Sequence, residues 1–277
     1  MQRPGSSVMD LGNSSSHGKP PRRPSVTLLL PARNEAQSLP VVLSRVPKSI
    51  GQVLVVDNGS TDRTAAVARA NGAEVVTESV PGYGQACLAG LARLADAPPA
   101  FVAFADADGS DGVQNLETLL APLLAGDADL VLARRIPETS GALSPQQRFG
   151  NWLATRLIRL FWGYAYQDLG PMRALSWPAL QRLEMRDRDF GWTVEMQIRA
   201  LKVGLRVREV PLPYYARIAG TSKISRTGWG IVRAGSKILW VIGKEMWLGR
   251  TAPVLQPGSL RSAAHVAHPP SDGGPKE

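Results

Sequence analysis

Asp106 and Asp108 stand one residue apart in Phe101-Val-Ala-Phe-Ala-Asp106-Ala-Asp108-Gly-Ser-Asp111, directly after a short apolar run. Alternate side chains of an extended segment share a face, so the two carboxylates are expected to offer several oxygens to one hard divalent cation, Mg²⁺ or Mn²⁺. The same Asp-x-Asp-Gly spelling also suits an ordinary turn or a calcium loop. Asp57 closes another apolar run, Gln52-Val-Leu-Val-Val56, and opens Asp57-Asn-Gly-Ser-Thr-Asp62. A carboxylate there can accept from a base-edge N–H, and the glycine lets a ligand approach the backbone. A tight turn with a helix cap is the better account of Asn58, Ser60 and Asp62. Pro31-Ala-Arg33-Asn-Glu35 follows the first apolar run, and Pro81-Gly-Tyr-Gly84 opens a helix where a phosphate or base could lie.

These residues need a frame that brings them to one place. Val26–Leu30, Gln52–Val56, Glu74–Thr77, Phe101–Ala105 and Asp129–Ala133 read as buried strands. Helical spacing fills the intervals at Glu35–Val46, Arg63–Asn71, Gly84–Ala95 and Asn115–Ala125. Apolar strands alternating with helices predict a mostly parallel sheet covered on both faces, with ligands beyond the carboxyl ends of the strands. Pro31–Glu35, Asp57–Asp62 and Asp106–Asp111 all fall on that rim. Further on, the sequence predicts a loop over 137–147, helices at 148–163, 176–185 and Gly191–Val203, and a strand at Leu205–Val210. A basic loop over Pro211–Ser225 and a final helix at 228–248 complete the reading.

Composition narrows the class. The 277 residues include 32 Lys and Arg against 23 Asp and Glu, a formal charge of +9 that favours an anionic partner. Cys87 is the single cysteine, which excludes an internal disulfide and points to a reducing, cytosolic setting. Residues 1–24 read as a disordered basic arm and 250–277, with His265 and His268, as a disordered tail. Residues 25–249 form the expected domain. No apolar stretch reaches the ~18 uninterrupted residues of a membrane span. Trp152–Tyr166 and Gly228–Leu248 are amphipathic, with aromatic and basic residues suited to a core-facing helix or to the surface of an anionic membrane.

Taken together, Pro31-Ala-Arg-Asn-Glu35, Val55-Val-Asp-Asn-Gly-Ser-Thr-Asp62, Gly82-Tyr-Gly84 and Phe104-Ala-Asp-Ala-Asp-Gly109 resemble family 2 glycosyltransferases of the GT-A fold. Asp168-Leu-Gly-Pro-Met-Arg173, Gly191-Trp-Thr-Val-Glu-Met-Gln197 and Arg217-Ile-Ala-Gly-Thr-Ser-Lys223 look like the subgroup of polyprenyl- or dolichyl-phosphate sugar synthases. The resemblance implies a Rossmann-like sheet with C-terminal amphipathic helices. Residues 25–135 would form the nucleotide-sugar half and 136–249 the acceptor half. It implies that Asp57 reads the base, with Pro31, Arg33 and Glu35 beside it and Gly84 near the phosphates. Asp106 and Asp108 would hold the metal, with Ser110 or Asp111 as a further ligand, and Arg217 and Lys223 would cover the diphosphate.

The implied reaction is inverting transfer of a hexose from a nucleotide sugar, UDP-glucose in preference to GDP-mannose, to polyprenyl phosphate. Arg135 and Arg148 would hold the acceptor phosphate, and Trp192 and Glu195 would orient the acceptor. A hydroxyl acceptor would instead need a general base such as Glu195. The chain would then work in the cytoplasm, peripherally on the inner face of the cell membrane. Three other readings compete: the same fold acting on a small-molecule or protein hydroxyl, a non-catalytic nucleotide or nucleic-acid binder, and a nucleotidyltransferase. The charge lies largely in arms and helices without base-stacking motifs, and no Gly-rich basic signature follows the first strand, so nucleic acid is not an expected partner.

Overall fold

A computed structural model describes residues 24–139, 141–219 and 228–248, with side chains in the last segment from residue 235 onward. The arm over residues 1–23, the tail beyond 248 and Lys223 lie outside the described residues.

Four parallel strands build the first half of the sheet: β1 (Val26–Ala32), β2 (Gln52–Asp57), β3 (Glu74–Thr77) and β4 (Phe101–Phe104). Helices α1 (Leu39–Ser44), α2 (Thr64–Ala70) and α3 (Tyr83–Leu94) connect them, and α4 (Leu116–Leu124) follows β4. Along β1, Leu29 enters one apolar core while Leu28 and Leu30 enter the other. Both faces are therefore covered, as the unbroken apolar runs require.

The second half adds β5 (Leu130–Pro137), β6 (Arg173–Ser176) and β7 (Val207–Tyr214), giving the order β3-β2-β1-β4-β6-β5-β7. β6 runs antiparallel between β4 and β5, so one sheet joins both halves of the chain. β7 lies at the edge and continues through Pro211 and Pro213, where the sequence predicts a loop. An edge strand has one unpaired side and tolerates residues without an N–H.

Helices α5 (Pro145–Trp162), α6 (Trp177–Leu183), α7 (Trp192–Lys202) and α8 (Gly228–Trp247) cover one face. Ser144 starts α5 with a capping box: its hydroxyl accepts from Gln147 N, and the Gln147 side chain accepts from Ser144 N. Buried charge fastens α8 to α7. The Glu245 carboxylate accepts from Arg199 at 3.0 and 3.1 Å and from Lys202 at 2.9 Å. Among the described residues, no helix is long and apolar enough to cross a membrane.

Candidate active site

Three loops at the carboxyl ends of β1, β2 and β4 meet, as the topology demands. Register places Ala32 beside Asp57, and Asn58 N donates to Ala32 O at 2.8 Å. Asn34 takes a left-handed backbone and accepts from Thr61 N at 2.7 Å, while Ser60 Oγ accepts from Asn34 N. Asp62 accepts from Ala36 N and Thr64 N. Asn34, Asn58, Ser60 and Asp62 thus shape the rim. Asp57 is left at its centre, buried, with Oδ1 accepting from Ser60 N at 3.1 Å. Pro31 is partly buried beside it, and Arg33 is exposed.

The Gly82-Tyr-Gly84 loop is fixed by close packing. Gly82 N donates to Asn58 Oδ1 at 2.8 Å, and Gln85 N donates to Arg188 O at 2.9 Å. A Cβ on Gly84 would lie 2.0 Å from Asp187 O, so only glycine lets the start of α3 approach this closely.

Asp106 and Asp108 do not lie on an extended segment. β4 stops at Phe104, and the carboxylates sit in a turn that closes through Gly109 at φ +80°. The turn holds itself: Asp106 N donates to Asp111 Oδ2 at 2.8 Å, and Ser110 N and Oγ both donate to Asp108 Oδ1. Asp108, Ser110 and Asp111 are buried. Burial, then the neighbouring Asp111 and Asp108 charges, push Asp106 well above the usual carboxylate range. Burial, opposed by the Asp106 N–H and reinforced by Asp108, raises Asp111 to about 7.

Arg217 lies over this turn, with Nη2 2.8 Å from Glu35 Oε1 and Nη1 3.0 Å from Asp108 Oδ2. Among the described residues, no three acidic, His or Cys side chains converge closely enough to enclose a metal alone. Asp106 and Asp108 nevertheless fit a Mg²⁺- or Mn²⁺-type ion, which characteristically takes one or two carboxylates and completes its shell with phosphate and water.

A cavity of about 470 Å³ adjoins the turn and includes Asp106, Tyr83 and Arg135 in its lining. Its apolar wall comes from Phe149, Leu153 and Ala154 of α5, Val194 of α7, and Ile238 and Leu239 of α8. Phe149 and Leu239 are also exposed, so the cavity reaches the surface between α5 and α8. Arg135 Nε and Nη2 donate to Asp168 at 2.8 and 2.7 Å, and its guanidinium stands 5.3 Å from the Tyr214 ring centre. Burial alone would depress Arg135, but the Asp168 hydrogen bonds and charge hold it above its ordinary value.

The other acceptor-side candidates have different surroundings. Arg148 is exposed on the first turn of α5 and is not among the cavity-lining residues, unlike its neighbours Gln147 and Phe149. Gln146, Gly150 and Leu153 turn toward the cavity, and Arg148 falls about half a turn away from them. Trp192 is buried against Phe104, with ring centres 6.2 Å apart. Glu195 is also buried: its Oε2 accepts from the backbone N–H groups of Arg186 and Asp187, and Oε1 lies 3.2 Å from Arg199. That carboxylate holds the segment against which Gly84 packs. The sequence alone assigns no role to Asp168 or Tyr83. The signal for Asp168 was its place at the head of Asp168-Leu-Gly-Pro-Met-Arg173, and for Tyr83 its two flanking glycines.

A sheet that delivers a buried carboxylate, an Asp-x-Asp turn and a covering arginine to one rim is the arrangement of a nucleotide-sugar-dependent transferase of the GT-A class. The sequence pattern described as Glycosyl transferase family 2 matches residues 27–174. An uncharacterized glycosyltransferase of Mycobacterium tuberculosis is 42% identical over 201 residues, 73% of this chain and 90% of that one. An undecaprenyl-phosphate mannosyltransferase of Micrococcus luteus is 30% identical over 214 residues, 72% of this chain and 87% of its own. Among solved structures, a glucosyl-3-phosphoglycerate synthase of M. tuberculosis matches in fold with TM-score 0.64 at 22% identity, covering 80% of each chain. The chain belongs to glycosyltransferase family 2.

Proposed function

We propose that this glycosyltransferase moves a hexose from a nucleoside-diphosphate sugar to the phosphate of a polyprenyl phosphate, with inversion at the anomeric carbon. The carrying observation is the apolar cavity that opens between α5 and α8 and reaches Asp106 and Arg135. An isoprenoid chain matches its wall, and a phosphate matches the remaining edge of Arg135, whose Nε and Nη2 are already committed to Asp168. On the donor side, Asp57 accepts from the base, and the Gly82–Gly84 loop lies alongside. UDP-glucose is the preferred donor in this reading.

Asp106 and Asp108 would hold Mg²⁺ or Mn²⁺, which supplies Lewis-acid stabilisation of the diphosphate leaving group. An acceptor phosphate oxygen bonds to C1 as the C1–O bond to the diphosphate breaks. The acceptor oxygen is already anionic, so no proton need be removed. Glu195 accordingly acts as a positioning residue, its oxygens engaged by backbone N–H groups and Arg199.

The outward faces of α5 and α8 support peripheral work at the cytoplasmic face of an anionic membrane. Trp152, Leu160, Trp240 and Trp247 are exposed, with Arg156 and Arg159 exposed beside the first pair. Lys237 and Lys244 lie 4.7 and 5.1 Å from the Trp240 ring centre. Aromatic side chains flanked by cations suit a bilayer interface.

A second reading, a small phosphorylated acceptor with a reacting hydroxyl, draws on the scaffold shared with glucosyl-3-phosphoglycerate synthase. That scaffold likeness favours a small acceptor, whereas the apolar cavity favours a lipid. A series of monoalkyl and polyprenyl phosphates of increasing length separates them. The lipid reading predicts that kcat/KM rises with tail length until the cavity is filled; equal rates for all tails, or turnover only with phosphoglycerate, would reject it.

A further inference from the structure

We infer that Arg217 is an internal counter-ion that reserves the metal-binding carboxylate, so that the divalent cation and nucleoside diphosphate load together. The inference rests on the reading of Asp106 and Asp108 as the metal pair. Arg217 Nη1 lies 3.0 Å from Asp108 Oδ2, while Ser110 occupies Asp108 Oδ1 through both its N–H and its hydroxyl. Both oxygens of Asp108 are thus engaged, and one is engaged by a cation.

The strap that carries Arg217 is keyed to the turn beneath it. Ile218 N donates to Asp108 O at 3.0 Å, and Tyr215 N donates to Ser110 O at 2.9 Å. The Ile218 side chain fills the space over Gly109: a Cβ there would lie 2.3 Å from Ile218 Cδ1. Glu35 supplies the second anchor for the guanidinium at 2.8 Å, and Ser38 Oγ steadies Glu35 Oε2 at the same distance. The arrangement is incomplete in one respect. Among the described residues, Arg217 Nε is buried and has no hydrogen-bond partner. A buried unpaired donor is costly, and a diphosphate oxygen is an acceptor that could satisfy it.

A divalent cation arriving alone must take Asp108 from Arg217 and leave the guanidinium, among its described partners, with Glu35. When the diphosphate arrives with it, Arg217 exchanges one anionic partner for another and gains an acceptor for Nε. The cation therefore binds better with the nucleotide than before it, beyond direct chelation by the phosphates. Such coupling arises from differential contacts in the two states.

The test is Mn²⁺ titration of the full chain without nucleotide, followed by calorimetry, and of UDP or GDP at saturating Mn²⁺. Arg217→Gln should bind Mn²⁺ alone about tenfold tighter, because a charge-assisted competitor has gone. The same variant should bind the nucleoside diphosphate about tenfold more weakly. Arg217→Lys, which keeps the charge, should stay near wild type for Mn²⁺ alone. Thermal melts establish that each variant is folded. Unchanged or weaker nucleotide-free Mn²⁺ binding by Arg217→Gln overturns the counter-ion role. Wild-type Mn²⁺ binding by Asp108→Asn overturns the metal reading beneath it, whereas loss of binding there supports that reading and leaves the Arg217→Gln titration to decide the counter-ion role.

Discussion

Replacing Arg135 with lysine probes the proposed acceptor clamp while sparing most of the fold. Arg135 gives Nε and Nη2 to Asp168 and, in the proposed reading, offers its other guanidinium edge to the acceptor phosphate, a division that a single ammonium cannot reproduce. The Asp168 carboxylate is nearly buried, so the lysine will stay with it and withdraw from the cavity. The acceptor phosphate then loses one charge-assisted hydrogen bond, about 1.5–3 kcal/mol, or roughly tenfold to 150-fold in kcat/KM for the acceptor. The donor KM should stay within about twofold, since Asp57 and the Asp106–Asp108 turn are untouched. Arg135→Ala would additionally strand Asp168 and lower stability by about 3–5 kcal/mol, making lysine the cleaner variant. Steady-state kinetics with polyprenyl phosphate, paired with thermal melts, measures both effects. An acceptor kcat/KM within about twofold of wild type in a folded Arg135→Lys protein refutes the clamp.

Glu195→Gln keeps the shape of the side chain but loses the charge facing Arg199, so turnover should change only a few-fold while unfolding becomes easier by about 1–3 kcal/mol. A thousandfold loss of rate without loss of stability would instead mark a general base. Asp111 should make the metal-free protein less stable as pH rises: its folded value of about 7 exceeds the ordinary 3.8, so the folded chain retains a proton that the unfolded chain releases between those values. The loss accrues from about pH 4 to 7 and amounts to at most roughly 4 kcal/mol. Added Mn²⁺ should reverse it, and denaturation midpoints at pH 5 and 8 that do not fall without metal would contradict the assignment. Gly84→Ala should displace the start of α3, since its Cβ meets a backbone carbonyl. Weakened nucleotide binding with preserved Mn²⁺ binding is the expected calorimetric result, and unchanged nucleotide affinity would argue against a donor-side role.

The rim after β1, β2 and β4 is the more legible part of the sequence because its information is local. Apolar runs marked β1, β2 and β4, and the polar residues immediately after them had to fall on one rim. The opposing faces of Leu28 and Leu29 are what a sheet covered on both sides predicts. β6 was not legible: its four residues begin with Arg173, a guanidinium that is buried because the carbonyls of Gly170, Pro171 and Thr193 accept from it. The prolines of β7 hid its second half, which only its edge position permits. The surroundings of the proposed acceptor-side residues depend on helix rotation and distant partners. Arg148 and Phe149 are adjacent in sequence, yet only Phe149 lines the cavity. Nothing local foretold that Glu195 would spend its oxygens on the backbone of residues 186 and 187, or that Arg135 would be held by a carboxylate 33 positions away.

The most direct measurement is the linkage made when polyprenyl phosphate and 3-phosphoglycerate compete in one reaction with UDP-glucose and Mn²⁺. Mass spectrometry and ³¹P spectra of the product distinguish a glycosyl phosphodiester from a glycoside formed at a hydroxyl. A lipid-linked hexosyl phosphodiester, with its anomeric configuration inverted relative to the donor, is the predicted product. A hexosyl glycoside of phosphoglycerate, with the lipid left unmodified, would contradict the account.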